Sequence, residues 1–263
     1  MKPSVLTLSV LPRALEVAGI DIRRAAKFAY RLPRFIQDAI TYSRTAGRSG
    51  PDKDFELRIK NLRPLLHDRG ETSGPISWQY FYQDIWAARR VFANAPALHL
   101  DIGSRLDGFV SHLLVFRDVS VVDIRPLPRD IPGVTFRQAD ATTLASIPTD
   151  SVESISSLHA IEHFGLGRYG DPVNPQAWRI VLQALERVLK PGGRLYLGVP
   201  IGQQRVMFNA HRIFAARSII DALPKLQLVS FSYIDDEGRF HGDTRPGATG
   251  TLDNGCGLFE LTK

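Results

Sequence analysis

The chain has 263 residues, a formal net charge of +6 at pH 7, 44% hydrophobic residues and a mean hydropathy of -0.10. This composition is typical of a globular protein, and a chain of this length buries enough apolar surface to fold without a disulfide or a structural metal. The single cysteine, Cys256, excludes an internal disulfide and a cysteine-rich zinc site. No apolar run approaches the roughly 20 residues that cross a bilayer, so we expect a soluble, cytoplasmic protein.

The positive charge is concentrated at the N-terminus. Residues 1–50 contain nine Lys or Arg and three Asp or Glu, whereas residues 51–263 contain 24 of each sign. The main domain therefore has no net charge to attract nucleic acid, and nucleic-acid binding is not expected. The apolar run at 5–11 resembles a signal peptide, but Pro12 and Arg13 end it and no convincing cleavage site follows.

Helical spacing of apolar residues over 15–40, interleaved with Arg and Lys, predicts a basic helical segment that Pro33 divides into two pieces. Two interpretations stay open. The segment is either a helical extension with a solvated basic face, or an amphipathic element that contacts an anionic membrane surface or a partner protein. A Gly/Ser/Pro-containing linker follows at 45–53. We expect a helical extension over 1–50, a linker and helical lead-in over 51–95, and the main domain over 96–263.

The main domain alternates strands with helices. A helical pattern begins after Ser77, and further helical patterns cover 175–189 and 215–223. Seven apolar segments have strand length, and they cover 97–103, 119–124, 134–140, 151–158, 194–200, 226–234 and 257–263. The alternation predicts a doubly wound α/β fold with a seven-stranded, mostly parallel sheet. Because no convincing helix separates the last two strands, we expect an antiparallel strand at one edge.

Ligands of such sheets bind beyond the carboxyl ends of the strands, where the strand order reverses. Here the loop after the first strand runs from Asp101 to Gly108. Asp123 ends the second strand, about 20 residues after Gly103, and an acid at that place accepts hydrogen bonds from a ribose diol. Asp140 ends the third strand. Three strand-end acids therefore line one predicted crevice.

These segments resemble the class I S-adenosylmethionine-dependent methyltransferases over residues 96–263. The matching pieces are HLDIGS, VVDI, QAD, SLHAIEH and VLKPGGRLYLGVP, in that order. The Lys-Pro-Gly-Gly turn between an amphipathic helix and an apolar strand is typical of that fold. The resemblance implies a Rossmann-like domain that binds S-adenosylmethionine, and it assigns the cofactor to Asp101, Gly103, Ser104, Gly108, Asp123, Ile124, Asp140 and Ala141.

Three longer segments, HLDIGSRLDGFVSH, SSLHAIEHFGLGRYGDP and VPIGQQRVMFNAHRIF, are similar to one uncharacterised methyltransferase-like family, a domain of unknown function. That family is often associated with surface-polysaccharide or glycan genes. The resemblance implies a sugar or glycan substrate, although a shared fold alone does not fix a substrate.

The loop after the first strand departs from the methyltransferase pattern. Glycines usually let its backbone approach the cofactor, but this chain has Arg105 and Asp107 at the second and third glycine positions, and Gly108 one position late. Arg105 has three possible effects: a clash with the cofactor, an outward orientation, or recruitment of an anion. Alternatively, Arg105 and Asp107 form a local ion pair in a domain that does not bind the cofactor.

The sequence His159-Ala-Ile-Glu162-His163 follows the fourth predicted strand. Its spacing also occurs in zinc peptidases, but the preceding strand and the glycines at 165 and 167 argue against the helix that such a site needs. In the family that it resembles, this place lies beside the substrate. His159, Glu162 and His163 are therefore the candidate general bases for methylation of a hydroxyl. Two alternatives stay open: Glu162 and His163 pin the loop to the sheet, or the two histidines bind a metal together with His211.

Two polar segments are candidates for substrate binding. They contribute Arg168, Tyr169, Asp171, Asn209, His211 and Arg212. Arg168, Arg205 and Arg212 together suit a phosphate or carboxylate on a sugar, or they form ion pairs with local acids.

Two classes of function follow. The first is an S-adenosylmethionine-dependent O-methyltransferase that acts on a sugar, a glycan or another small hydroxyl compound. The second is a methyltransferase-like domain that does not use this cofactor and serves polysaccharide synthesis as another glycan-modifying enzyme or as a binding partner. Methylation of nucleic acid is a weaker third possibility, because no Asn-Pro-Pro-Tyr type signature follows the fourth strand.

Overall fold

The computed structural model describes residues 22–46, 57–66 and 76–263. These fall into two compact units, with the boundary between Pro75 and Ile76. The structure therefore begins the main unit about 20 residues before the expected boundary at 96, and the helical lead-in belongs to it. The signal-peptide-like run at 5–11 and most of the predicted linker lie outside the described residues.

The smaller unit contains the basic helix. Helix α1 spans Ile22–Ala46 with Pro33 inside it, and a single 3-10 turn spans Ile59–Asn61. The predicted division at Pro33 is wrong, because one missing N–H removes a single hydrogen bond from a helix of 25 residues and the turns on either side continue it. Arg31 Nη1 donates to the Leu66 carbonyl at 2.7 Å. Among the described residues, no helix is long and apolar enough to span a membrane.

The larger unit is built on an eight-stranded sheet of order β3-β2-β1-β4-β5-β10-β8-β9. Its strands are β1 Leu100–Ile102, β2 Val119–Asp123, β3 Val134–Gln138, β4 Val152–Leu158, β5 Leu189–Ile201, β8 Gln227–Ile234, β9 Phe240–His241 and β10 Gly255–Thr262. Strands β6 Arg205–Met207 and β7 His211–Ile213 form a separate hairpin. The first five strands of the order are parallel, which confirms the doubly wound α/β fold.

All seven predicted strands are present, and the structure adds three short ones, β6, β7 and β9. Strand β10 lies antiparallel between β5 and β8, and the two-residue strand β9 is the antiparallel edge. Strand β5 begins at Leu189, directly after its helix, so the Lys-Pro-Gly-Gly segment forms an irregular start of the strand. The pairing register shifts opposite it, between Val152 and Ser154.

Helices cover both faces of the sheet. On one face lie α4 Ala177–Val188 and α5 Ala216–Asp221, close to their predicted ranges. Helix α2 Trp78–Asn94 and the short helix α3 Ser111–Leu113, which follows a π-type turn at Leu106–Val110, lie on the other. Each face has its own buried apolar cluster, one with Leu182 and Leu185 and the other with Trp86 and Phe109. Apolar burial on both faces explains the near-continuous apolar sequence of the parallel strands.

Candidate active site

A pocket of about 520 Å³ opens at the carboxyl ends of the parallel strands. It lies where the strand order reverses between β1 and β4, which is the usual ligand position in an open α/β sheet. The structure brings together many of the residues predicted from the sequence. Those that line the pocket are Gly103, Asp123, Ile124, Asp140, Ala141, His159, Glu162, His163, Arg168, Tyr169, Asp171 and His211.

Asp101 and Ser104 do not line the pocket, contrary to their predicted role in contacting the cofactor. The buried Asp101 carboxylate accepts hydrogen bonds from Ser104 N at 3.0 Å and from Ser104 Oγ at 2.6 Å. Ser104 Oγ in turn accepts from Leu158 N at 3.0 Å. Burial raises the pKa of Asp101 to about 6. Both side chains are used to attach the loop to β4, because a buried carboxylate needs partners from the protein itself.

The Asp101 carboxylate is also the last group in a buried chain of hydrogen bonds that connects residues 99–101 with strand β4. Ser156 Oγ donates to Asp101 Oδ1 at 2.5 Å. His99 Nε2 lies 2.9 Å from Ser156 Oγ, and His99 Nδ1 lies 2.7 Å from Ser154 Oγ. Since the Ser156 proton goes to the carboxylate, His99 Nε2 carries the ring proton and Nδ1 accepts from Ser154. Burial lowers the pKa of His99 to about 3, so the ring is neutral.

Gly108 also lies outside the pocket wall. A Cβ at this position would lie 2.4 Å from Asp84 Oδ2, so the glycine lets the loop pack closely against α2. Its predicted cofactor contact is replaced by this structural role.

Gly103, Asp123 and Asp140 form one half of the pocket wall, which we name the strand-end side. Gly103 has a φ of 69°, and a Cβ there would lie 3.1 Å from the Ala160 Cβ. This is a conformation that glycine adopts without strain, and it exposes backbone to a ligand. The Asp123 carboxylate is bound by the Arg125 guanidinium, with 3.0 Å between Nε and Oδ1. Asp140 accepts from Thr142 N at 2.8 Å.

Arg105 forms a local ion pair, as one of the sequence alternatives predicted. Its Nη2 lies 2.9 Å from Asp107 Oδ2, and its guanidinium lies 5.0 Å from the centre of the Tyr80 ring. Arg105 thus covers the rim of the pocket while it is anchored on its own loop and on α2. It does not fill the pocket.

His159 follows β4 and has a φ of 50°. Its Nδ1 contacts Gln83 Oε1 at 2.5 Å, and Gln83 Nε2 donates to Asp84 Oδ1 at 3.1 Å. Because Asp84 fixes the orientation of the Gln83 amide, Nδ1 must be the protonated nitrogen of His159, and Nε2 keeps a free lone pair. Burial lowers the pKa of His159 to about 3, so the ring stays neutral.

Glu162 is buried, and it lines the pocket from the single 3-10 turn Ile161–His163. Its Oε2 has no hydrogen-bond partner within the described chain, and its Oε1 lies 3.8 Å from His163 Nε2. Burial raises the pKa of this carboxyl to about 8. A buried carboxyl at the wall of a pocket, with a raised pKa and an oxygen that lacks a protein partner, is a candidate functional group.

His163 and His211 lie farther along the same wall, with 6.5 Å between their ring centres. His163 Nδ1 donates to the Ala210 carbonyl at 2.7 Å, which leaves Nε2 facing Glu162. Burial lowers the pKa of His163 to about 4 and also lowers the pKa of His211, and the Arg168 charge acts in the same direction on both. All three histidines of the wall are therefore neutral near pH 7.

The loop after the 3-10 turn is organised by Asp171. Its Oδ2 accepts from Gly165 N at 2.6 Å, and its Oδ1 accepts from Tyr169 N at 3.2 Å. This arrangement presents the Tyr169 ring to two cations, with the guanidinium carbons of Arg125 and Arg168 at 4.9 Å and 5.2 Å from the ring centre.

Arg212 and Asn209 do not line the pocket, contrary to the predicted contacts with a substrate, and Arg205 follows the alternative of an ion pair with a local acid. Arg212 is buried and donates to the Glu162 and Phe164 carbonyls at 3.3 Å and 2.6 Å, so it supports the loop from behind. Asn209 has a φ of 61° in the turn of the β6–β7 hairpin and does not line the pocket. Arg205 pairs with Asp253 at 2.7 Å.

The sequence analysis missed the residues that α2 contributes. Gln79 and Tyr80 line the pocket, Tyr80 lies 4.7 Å from the His159 ring between ring centres, and Gln83 orients that ring. The pattern of aromatic and polar residues in α2 identified a helix but gave no sign of which strand end it covers. Gln83 carries no signal in the sequence, because its burial and its partner His159 are known only from the structure.

The zinc-peptidase alternative lacks its helix. His159 precedes the 3-10 turn Ile161–His163 and His163 is its last residue, so the two histidines do not lie on one helical face. Among the described residues, no group of three or more His, Cys, Asp or Glu is arranged to hold a metal ion.

Residues 139–235 match a protein family described as "Caenorhabditis protein of unknown function, DUF268". The matched segment includes Asp140 and the loop from His159 to Asp171, but neither Gly103 nor Asp123, and it covers less than half of the chain. No curated protein matches this sequence.

Several solved structures are similar. Burkholderia thailandensis 1,6-didemethyltoxoflavin-N1-methyltransferase, with bound 1,6-didemethyltoxoflavin and S-adenosylhomocysteine, is 15% identical with a TM-score of 0.48, covering 71% of this chain and 80% of that chain. N-methyltransferase NodS from Bradyrhizobium japonicum WM9, in complex with S-adenosylhomocysteine, is 15% identical with a TM-score of 0.46, covering 70% and 87%. The cyclase SpnF is 14% identical with a TM-score of 0.48, covering 67% and 81%. Likeness at this level says nothing about the reaction of this chain.

Proposed function

We propose that this protein is an S-adenosylmethionine-dependent methyltransferase that methylates a hydroxyl group of a sugar, a glycan or another small acceptor. The observation that carries the proposal is a single pocket with two unlike halves. The strand-end side presents Gly103, Asp123 and Asp140, and the segment from His159 to Asp171 after β4, which we name the acceptor side, presents His159 and Glu162. S-adenosylmethionine supplies an electrophilic methyl group on a sulfonium when it is bound.

The strand-end side fits that cofactor. Gly103 brings backbone to the pocket without a Cβ, and Asp123 stands at the end of β2, where an acid accepts hydrogen bonds from ribose hydroxyls. Ile124 and Ala141 add apolar surface for an adenine ring beside Asp140. Arg125 donates a hydrogen bond to each oxygen of Asp123. A bound ribose therefore has to share these two acceptors with the arginine.

The acceptor side supplies proton transfer. Methylation of a hydroxyl needs a base that takes the proton as the new carbon–oxygen bond forms. Glu162 fits because burial raises its pKa to about 8, which makes its ionised form a stronger base than an ordinary carboxylate, and because Oε2 has no competing partner in the described chain. His159 Nε2 then accepts a hydrogen bond from a second hydroxyl of the substrate and orients it. Of the three candidate bases, Glu162 takes the proton, and the lone pair of His163 Nε2 lies 3.8 Å from Glu162 Oε1.

Two observations favour the alternative in which the domain does not use this cofactor. Arg125 neutralises Asp123, and Arg105 replaces a glycine that usually faces the cofactor. In that case the acceptor side still binds a glycan compound, and the protein is another glycan-modifying enzyme or a binding partner in polysaccharide synthesis.

Calorimetry with S-adenosylhomocysteine separates the two candidates. We expect binding in the micromolar range that Asp123→Ala abolishes. Asp130→Ala is the matched control, because Asp130 is an exposed acid after the same strand and does not line the pocket. The proposal fails if the wild-type protein shows neither heat nor thermal stabilisation at millimolar S-adenosylhomocysteine. The cytoplasmic location, the glycan substrate and a contact of the basic N-terminal segment with a membrane or partner protein stay predictions.

A further inference from the structure

The charges around the pocket are unequally compensated. The two other arginines that line the pocket each have a carboxylate at salt-bridge distance, and these pairs are Arg105 with Asp107 and Arg125 with Asp123. Arg168 differs from them. Within residues 76–263 no carboxylate lies at salt-bridge distance from its guanidinium, although the residue lines the pocket.

Arg168 is nevertheless held in place. Its Nη1 donates to the Ala210 carbonyl at 2.9 Å and lies 3.5 Å from His163 Nδ1. Its guanidinium carbon lies 5.2 Å from the centre of the Tyr169 ring. An arginine fixed at one nitrogen keeps its remaining N–H groups available for a ligand, and the planar fork of these groups matches a carboxylate or a phosphate.

The neutral groups beside Arg168 cannot compensate its charge. His163 and His211 are uncharged near pH 7, and Glu162 is mostly protonated there because burial raises its pKa to about 8. The Asp171 carboxylate also lines the pocket, but amides of its own loop donate to both of its oxygens. Arg168 therefore has no carboxylate at contact distance on the acceptor side. The His163 ring separates it from Glu162, because Arg168 Nη1 lies 3.5 Å from His163 Nδ1 and Glu162 Oε1 lies 3.8 Å from His163 Nε2.

We propose that the acceptor substrate is an acidic hydroxyl compound, whose carboxylate or phosphate binds Arg168 beside Tyr169 while a hydroxyl of the same molecule lies at Glu162. This assignment rests on the proposed function for the identity of the reacting hydroxyl. The anion site itself depends only on the charges and contacts of the acceptor side. An anion there also gives a role to the exposed Arg168 cation beside His163 and His211, the two histidines that its charge helps to hold neutral.

Ligand-observed NMR tests the site directly. Glucuronate, glucose 1-phosphate and neutral glucose are titrated into the full-length protein at constant ionic strength, with and without S-adenosylhomocysteine. We expect at least one anionic probe to bind about tenfold more tightly than glucose, and Arg168→Gln to remove that preference. The comparison of glucuronate with glucose 1-phosphate tells which anion the site takes. Arg179→Gln is the matched control, since Arg179 is exposed on α4 and packs over Trp178, outside the pocket.

The results that would overturn the anion site differ from those that would overturn the methyltransferase proposal. Equal binding of charged and neutral probes, or equal losses in Arg168→Gln and Arg179→Gln, overturns the anion site. If Arg168→Gln weakens S-adenosylhomocysteine tenfold and leaves the probes unchanged, the cation serves the cofactor and the inference is wrong. If S-adenosylhomocysteine does not bind at all but the probes still require Arg168, the methyltransferase proposal fails while the anion site stands.

Discussion

The buried Glu162 carboxyl makes the stability of this protein depend on pH in a specific way. Burial raises its pKa from the ordinary 4.5 to about 8, so the fold favours the protonated form. The contribution of this group to stability is fully present below about pH 4.5 and is lost progressively as the pH rises to about 8. The full difference corresponds to roughly 5 kcal/mol, at about 1.4 kcal/mol for each tenfold change in proton affinity.

Glu162→Gln removes this titration and keeps the shape of the side chain. We expect the glutamine variant to gain about 3 kcal/mol over wild type between pH 5 and pH 8, since the unfolded glutamate is mostly ionised at pH 8 and the folded one is half protonated. The measurement is urea unfolding of both proteins at the two pH values. Taking the difference between the proteins cancels the contribution of His159 and His163, which titrate in both.

Glu237→Gln controls for the general effect of removing a carboxylate, because Glu237 lies at the exposed surface. Its difference from wild type should be the same at both pH values. If the Glu162→Gln difference changes by less than about 1 kcal/mol between pH 5 and pH 8, then Glu162 titrates normally. The assignment of this residue as the base would then lose its physical ground.

Three further changes test the architecture of the site. Arg212→Met leaves two loop carbonyls without their charged donor, and we expect a loss of about 3 kcal/mol in urea unfolding. Gly103→Ala forces a residue with a Cβ to a φ of 69°, which costs about 1–2 kcal/mol, and it should weaken S-adenosylhomocysteine at least tenfold in calorimetry. Arg125→Ala frees both oxygens of Asp123, so S-adenosylhomocysteine should bind about fivefold more tightly.

The first two of these predictions have separate controls. Arg217→Met removes an exposed arginine that pairs only within α5, and it should cost less than about 1 kcal/mol. Gly247→Ala changes a glycine with open space around it and should leave ligand affinity unchanged. Weaker binding in Arg125→Ala would mean that the arginine itself contacts the ligand, contrary to the role assigned to Asp123.

The sequence predicted the strand-end side of the site well, because its residues are placed by local structure. Asp123 and Asp140 follow apolar segments of strand length, and parallel strands bring their carboxyl ends to one edge. The sequence also predicted a polar loop directly after β4, because glycines and polar residues follow this strand, and this loop forms the acceptor side. The predicted ranges fail mainly at irregular places, such as the start of β5, where a helix passes into a strand without a loop.

The rest of the site depends on contacts between residues far apart in the chain. Gln83 orients His159 across 76 positions, and Arg212 reaches the Phe164 carbonyl across 48. No local pattern distinguishes an arginine that faces a ligand from one that turns inward to carbonyl groups. Periodicity also gives no information on burial of a single carboxyl, and it is burial that separates Glu162 from the other acids of the pocket.

The polar chain from His99 through Ser156 to Asp101 also bears on strand alignment. Strand β1 has only three residues, and Asp101 pairs directly with Ser156 on β4. A slip of one residue would set this carboxylate opposite Ile155 and leave several buried polar groups without partners. Apolar side chains tolerate such a slip more readily, because dispersion contacts have no direction. The buried hydrogen bonds therefore select a single alignment at the centre of the sheet, and the positions of the strand ends on both sides of the pocket follow from that selection.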